Sequence, residues 1–358
     1  MKKLFIIFIA FFALALSACS PAAPVTFDIA LVTDVGDIDD RSFNQGAWEG
    51  VVAFATERNI SHQYFRPTGR SNEEVLAAIE LAIDNGAKVI VTPGFLFAPV
   101  IYEAQDLFPD IKFILLDAIP NTGPPNFTVR IEDNVHSIFY AEEQAGFLAG
   151  YAAVREGFTS LGFMGGMAVP AVVRFGYGFV QGAEYAAVEM GVDVAIRYTY
   201  LGGFGPTPAF QTQAASWYTD GVEVIFAAAG GAGLSVMQAA EANNGKVIGV
   251  DIDQSFLSNS VITSALKELG PSVILALENF FDGTFKGGVS EVLDVTTGGV
   301  NLPDDFSRFS NFTRAQYDAI FAKLVANTDN VRTSILKNTD VTTPVDIPVT
   351  RVTLSFIE

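Results

Sequence analysis

The 358-residue chain is poor in the residues that most chemistry needs: it has one cysteine and two histidines. Cys19 alone excludes an intramolecular disulfide and any metal site built from several thiolates. Only His62 and His136 offer an imidazole. No Gly-x-Ser-x-Gly elbow and no Gly-x-x-x-x-Gly-Lys phosphate loop is present, which removes the common serine-hydrolase and nucleotide-hydrolase signatures. Asp251-Ile252-Asp253 lacks the remaining ligands and the glycine of an EF-hand loop, and Gly176-Tyr177-Gly178 lies where a helix is expected rather than after a strand. Neither is read as a metal or dinucleotide site, and no cofactor is expected. Positive charge is scarce too: 21 Lys and Arg face 40 Asp and Glu, for a net charge of −19. Nucleic acid is excluded as a partner, because its affinity comes from cations that displace phosphate counterions.

Half of the residues are hydrophobic, but the only long apolar run is at the start. Lys2 and Lys3 precede an uncharged stretch from Leu4 to Leu16, followed by Leu16-Ser17-Ala18-Cys19. That run is shorter than the roughly 20 residues a spanning helix needs, and its order is that of a secretory signal covering residues 1–18. Small residues directly before a cysteine resemble the bacterial lipobox, which implies that Cys19 is acylated, with palmitate or a similar chain, and becomes the new N-terminus. Ser20 to Val25 is Pro-rich and reads as a tether, so residues 19–25 form the anchor. A single acyl chain binds membranes marginally, and stable attachment takes more than one.

After the tether, short apolar runs alternate with helical periodicity. Phe27 to Val32 is strand-like, and Ser42-Phe43-Asn44-Gln45 fits a capping box ahead of Ala47, Val51 and Phe54. Ser71 to Glu74 forms a second capping box, and Lys88 to Thr92 and Ile111 to Leu116 are apolar strands. The pattern restarts after Ile131 with a helix expected over 137–154, then strands at Ser160–Phe163, Val194–Tyr200 and Val222–Ala227, each followed by a helix. Lys246–Val250 and Val261–Ser264 are further strands, and the tail from Thr342 is β-rich. Alternating strands and helices imply parallel sheets. A mature chain of this length is natural for two lobes. In such sheets ligands bind beyond the carboxyl ends of the strands, which selects the loops at Asp34–Asn44, Leu116–Ala118, Ala229–Gly233 and Asp251–Asp253.

Several ordered motifs are similar to the basic membrane protein family of bacterial lipoproteins. They are Asp34-Val35-Gly36-Asp37-Ile38-Asp39-Asp40-Arg41-Ser42-Phe43-Asn44-Gln45; Gly165-Gly166 with Arg174-Phe175 and Gly178-Phe179; Gly230-Gly231; and Ile248 to Gln254 followed by Thr263 to Lys267. The resemblance implies an α/β type I periplasmic-binding-protein fold: two lobes, each a parallel sheet flanked by helices, around a hinge cleft. It implies a non-enzymatic, monomeric substrate-binding protein of an ABC importer, held on the extracytoplasmic face by its lipid and delivering its ligand to a membrane permease. Lobe 1 is expected over 26–132 plus 253–285, and lobe 2 over 133–252 plus 286–358.

Purine nucleoside receptors of this family hold the base between two aromatics, which carries over to Phe43 and Phe175. Asn44 and Asp117 would meet base edges, Asp34 would contact the ligand, and Asp251 with Lys267 would clamp the ribose. Gly230 would let main chain approach without a side chain. Other readings of the same residues stay open. Tyr177 and Phe179 neighbour Phe175, Asp34 and Asp39 can shape a turn, Asp251 and Lys267 can form an ordinary ion pair, and Gly230 can serve a tight turn. Gly202-Gly203-Phe204-Gly205-Pro206 and Gly270-Pro271 depart from the family pattern, which leaves riboflavin or a sugar as the alternative ligand. Paired carboxylates also leave nucleoside hydrolysis to be tested. A repressor on the same core would need a DNA-reading module where this chain has a signal.

Overall fold

The computed structural model describes residues 26–34 and 36–357. The expected signal, the acylated Cys19 and the tether lie outside the described residues. The first sheet contains, in spatial order, β11 (Val289–Leu293), β5 (Val135–Tyr140), β4 (Lys112–Leu116), β3 (Val89–Pro93), β1 (Ile29–Val32) and β2 (His62–Phe65). The second runs β12 (Val300–Asn301), β10 (Val261–Lys267), β9 (Lys246–Asp251), β8 (Val224–Phe226), β6 (Ser160–Gly165), β7 (Val194–Tyr200) and β13 (Val352–Ile357). Among the described residues every pairing between these strands is parallel except β10 with β12. Central strands such as Ile29–Val32 and Val89–Pro93 are buried throughout, as expected where helices cover both faces of a parallel sheet.

Helices α1 (Phe43–Arg58), α2 (Asn72–Asp84) and α3 (Phe97–Leu107) follow β1, β2 and β3. The second lobe carries α4 (Glu142–Glu156), α5 (Pro170–Met190), α6 (Pro208–Thr219) and α7 (Gly233–Asn243). Helix α8 (Leu269–Phe281) returns to pack on α1 in the first lobe, and α9 (Arg314–Ala326) lies by α4. Separate cores sit beneath α2 and α3 and beneath α6 and α7, whereas one large core runs continuously from β1 and α1 to α4, α5 and β6.

Sheet membership corrects the expected lobe boundaries. Strand β5 pairs with β4 in the first sheet, β10 with β9 in the second, and β11 with β5 in the first. The crossings therefore fall near residue 141, near residue 268 and between 293 and 300. The reason is local: Val135–Tyr140 is a strand where the sequence pattern predicts a helix from residue 137, since a short apolar run looks the same in either state. The helix begins only at Glu142. The β-rich tail is likewise confined to β13.

The Ser71–Glu74 capping box is formed on both sides. The Ser42–Gln45 box is not. The Ser42 hydroxyl makes no cap bond and donates to Asp251 Oδ2 at 2.5 Å. Asp40 takes the capping role, accepting from the backbone N–H of Ser42, Asn44 and Gln45 at 2.9, 3.0 and 3.1 Å. A carboxylate satisfies those amides and opposes the helix N-terminal dipole better than a hydroxyl.

Helices α4 and α5 run side by side with their backbones touching. A Cβ on Gly146 or Gly150 would strike the carbonyls of Phe175 or Phe179, and one on Gly178 or Gly182 those of Glu143 or Phe147. Gly178→Ala is therefore expected to destabilise the protein by about 1–3 kcal/mol through overpacking. That loss outweighs the roughly 1 kcal/mol by which alanine favours an isolated helix. A lower midpoint in urea denaturation with an unchanged slope checks it.

Candidate functional site

A cavity of about 450 Å³ opens between the lobes at the carboxyl ends of the strands. All eight sequence-predicted residues, Asp34, Phe43, Asn44, Asp117, Phe175, Gly230, Asp251 and Lys267, line it. Lobe 1 supplies Asp34 after β1, Phe43 and Asn44 from the first turn of α1, and Asp117 after β4. The second sheet supplies Asp251 and Lys267 at the ends of β9 and β10, with Phe175 from α5. Asp117 and Asp251 both hold left-handed backbone, with φ of 59° and 67°. Non-glycine residues take that conformation at a cost that sites tolerate where it aims a side chain.

The Asn44 amide and the Lys267 ammonium have defined partners. Asn44 directs both amide protons at carboxylates, Asp34 Oδ1 at 3.1 Å and Asp40 Oδ2 at 3.2 Å. That fixes which end of the amide is oxygen, and Asn44 Oδ1 is buried without a partner among the described residues. Burial raises the Asp34 carboxyl, opposed by the Gly36 and Asn44 donors. It pushes Asp40 up to about 6, against three backbone donors.

The Lys267 ammonium is buried among carboxylates: Asp117 Oδ2 at 2.5 Å, Glu142 Oε1 at 2.9 Å and Asp251 Oδ1 at 3.9 Å. It also sits 4.8 Å from the Phe43 ring centre, 5.3 Å from Tyr140 and 5.5 Å from Phe175. Burial would lower its pKa, but the three acids outweigh it and keep it charged. The expected Asp251–Lys267 clamp is thus looser than the contacts Lys267 makes with Asp117 and Glu142, and Asp251 is instead held by Ser42. Asp117 and Glu142 share one ammonium. Burial would raise both, but Glu142 also receives Arg174 Nε at 2.6 Å and stays ionised well below the usual range. Asp117, buried and repelled by Glu142, is pushed up to about 7 despite Lys267. Its Oδ1 has no partner among the described residues.

Two aromatic assignments change in detail. Phe175 lines the cavity but is only 2% exposed and packs edge-on against Phe226 at 5.8 Å. Phe204, in the glycine-rich segment that departs from the family pattern, lies over Gly166 and Gly230 at the cavity wall. Gly230 has φ of 55°, with the Phe204 ring 3.5 Å from where a Cβ would stand, an ordinary contact, so the left-handed turn is what requires a glycine here. Sequence reasoning also missed Asp40, Arg70, Phe95 and Glu142. Asp40 had a usable signal, an acid four residues before Asn44. Glu142 had none, because the expected helix placed it mid-helix rather than at a crossing. Among the described residues no group of His, Cys, Asp and Glu could hold a metal ion, and no helix is long and apolar enough to cross a membrane.

Two parallel-sheet lobes with polar and aromatic groups converging at one cleft between them are the architecture of bilobed solute-binding proteins. The model of the family described as "ABC transporter substrate-binding protein PnrA-like" matches residues 27–339, and the chain belongs to this Bmp family of substrate-binding proteins, not enzymes. It is 31% identical over 296 residues to the ABC transporter nucleoside-binding protein BmpA of Lactococcus lactis subsp. cremoris, covering 76% of this chain and 80% of that one. Basic membrane protein D of Borreliella burgdorferi is 27% identical over 94% of this chain and 95% of its own length. Among solved structures, an ABC transporter solute-binding protein from Aeropyrum pernix K1 superposes with a TM-score of 0.69 at 25% identity, over 89% of this chain and 84% of that one. An arabinose-binding protein from Geobacillus stearothermophilus shares the fold, with a TM-score of 0.55 at 15% identity, over 80% of this chain and 99% of that one.

Proposed function

We propose that this protein is the lipid-anchored receptor of an ABC importer, closing its two lobes on a purine nucleoside outside the cytoplasmic membrane and presenting it to the permease. The observation that carries the ligand is the pair of orphaned acceptors, Asn44 Oδ1 and Asp117 Oδ1, in a cavity with aromatic walls. Buried acceptors left unpaired cost about 1–3 kcal/mol each, and a flat heterocycle with N–H groups on its edge supplies what they lack. Its faces suit the Phe43 ring, and sugar hydroxyls suit Asp251 and Lys267. A cleft closed by groups from both lobes couples binding to hinge closure. The name of the lactococcal relative supports a nucleoside, and Cys19 behind its small residues supports the lipid anchor.

Purified protein, stripped of carried ligand by unfolding and refolding, would be titrated calorimetrically with guanosine, adenosine, inosine, cytidine, ribose and riboflavin. Sub-micromolar binding of a purine nucleoside is expected. Binding of riboflavin or ribose alone would retain the receptor and replace the ligand, and conversion of the nucleoside to free base would overturn the non-enzymatic reading.

The same titration has an expected pH dependence. Asp117 accepts from a ligand N–H only as carboxylate, so protonation competes with binding. With its pKa near 7, linkage makes affinity about tenfold weaker at pH 6 than at pH 8. The opposite trend would mean that the ligand presents an acceptor and that Asp117 donates.

A further inference from the structure

Helices α4 and α5 bring their first turns together at the cavity floor in a fixed register. Glu142 precedes Gly146 and Gly150 by four and eight residues, and Arg174 stands in the same relation to Gly178 and Gly182. All four glycines lie at the backbone contact between the helices, so they set the height at which Glu142 meets Arg174. Glu142 is fully buried, Arg174 is nearly so, and Glu142 touches nothing else charged except Lys267. Neither residue belongs to the ligand set expected from the sequence, and Glu142 does not line the cavity.

We propose that Glu142, clamped by Arg174, is the positioning residue that fixes the Lys267 ammonium at the ligand, an inference that rests on the receptor reading but not on which molecule binds. The lysine side chain ends in a compact charge on a flexible stem, so its place is set by its partners. Asp117 belongs to the first lobe and moves with it. Glu142 lies at the crossing where β5 of the first sheet passes into α4 of the second, and Arg174 holds it to the second lobe, which also carries Lys267. When the lobes part, Asp117 leaves and Glu142 stays, so Lys267 keeps its place ready for the next ligand. The bidentate-capable guanidinium matters because it keeps Glu142 ionised in a buried site where an unsupported carboxylate would take a proton.

The test reads a property that a merely structural role would leave alone. Asp117 faces Lys267, Glu142, Arg174 and Tyr140, and shares Lys267 with Asp251; Glu142 raises its pKa while Arg174 lowers it. The Asp117 carboxyl would be titrated by carbon-13 NMR in the ligand-free protein. Relative to wild type, Glu142→Gln is expected to move the midpoint down, and Arg174→Gln to move it down as well, because Glu142 without its guanidinium takes a proton and no longer repels Asp117. A midpoint that stays put in both variants, or rises in Arg174→Gln, overturns the proposal. Glu142→Gln should also weaken a purine nucleoside at least tenfold, and unchanged affinity would overturn it as well. If wild type binds no nucleoside, the ligand reading fails while downward midpoint shifts in both variants still support the positioning role. If Glu142→Gln does not fold, the direction of the Arg174→Gln shift decides.

Discussion

Replacing Lys267 with methionine is expected to be the most destabilising single change at the cleft, at about 3–5 kcal/mol. Methionine fills much of the same volume, so packing is not the cause. Lys267 is 4% exposed and is the shared partner of Asp117, Glu142 and Asp251, and its loss strands three acids out of water. Against a total stability of about 5–15 kcal/mol, that leaves a marginal protein. The loss should depend on pH in a stated direction. Without the ammonium, buried Asp117 and Asp251 have folded-state pKa values further above the unfolded ones, so the folded state holds protons that the unfolded state releases. Stability then falls as pH rises through the interval between those values. Urea midpoints at pH 5 and pH 8 check this: the variant should be clearly more stable at pH 5. Equal midpoints would show that Arg174 alone neutralises the cluster.

Phe43→Ala is expected to weaken the ligand by about 5- to 150-fold, the equivalent of the roughly 1–3 kcal/mol that stacking on one aromatic face is worth. Its value as a test lies in what it leaves intact. Phe43 is the first residue of α1 and is only half-buried, so the core loses little and the melting temperature should change by a few degrees at most. Phe175→Ala behaves differently. That ring is almost fully buried against Phe226, and deleting it should cost about 3–5 kcal/mol of stability, with any affinity loss entangled in that. Phe204→Ala should follow Phe43 rather than Phe175, because its ring rests on glycines at the cavity wall. Calorimetry and thermal melts on the three variants separate the rings that hold the ligand from the ring that holds the lobe. Wild-type affinity in Phe43→Ala would remove that ring from the ligand site.

Much of the site was legible because its residues sit in short motifs next to strand ends. Strand ends select the loops that hold Asp34, Phe43, Asn44, Asp117 and Asp251, and the family resemblance adds Lys267; all of them line one cavity. The partners among them were not legible. Ser42 reads as a helix cap from its local pattern, yet its hydroxyl is drawn 209 residues along the chain to Asp251, and Asp40 caps the helix in its place. The family resemblance pairs Asp251 with Lys267, yet Lys267 reaches Asp117, 150 residues away, and Glu142 more closely. Phe204 stands in the 202–206 segment that departs from the family pattern, so the resemblance assigns it no role. Its position depends on the absence of a side chain at Gly166, which belongs to another segment.

By itself the sequence determined the class of fold, since apolar runs of strand length alternating with helical periodicity leave few ways to bury both kinds of face. It also determined where in each unit a ligand could sit, because strand ends are local features. What only the tertiary structure decided was which sheet each late strand joins and which charges neutralise which. Strand pairing is a competition between edges distant in sequence, so β5, β10 and β11 could not be placed from their own residues. A buried ion pair is chosen by low dielectric and by distances of a few ångströms, and the close approach of α4 to α5 that seats Glu142 beside Arg174 and Lys267 exists only once both helices have docked.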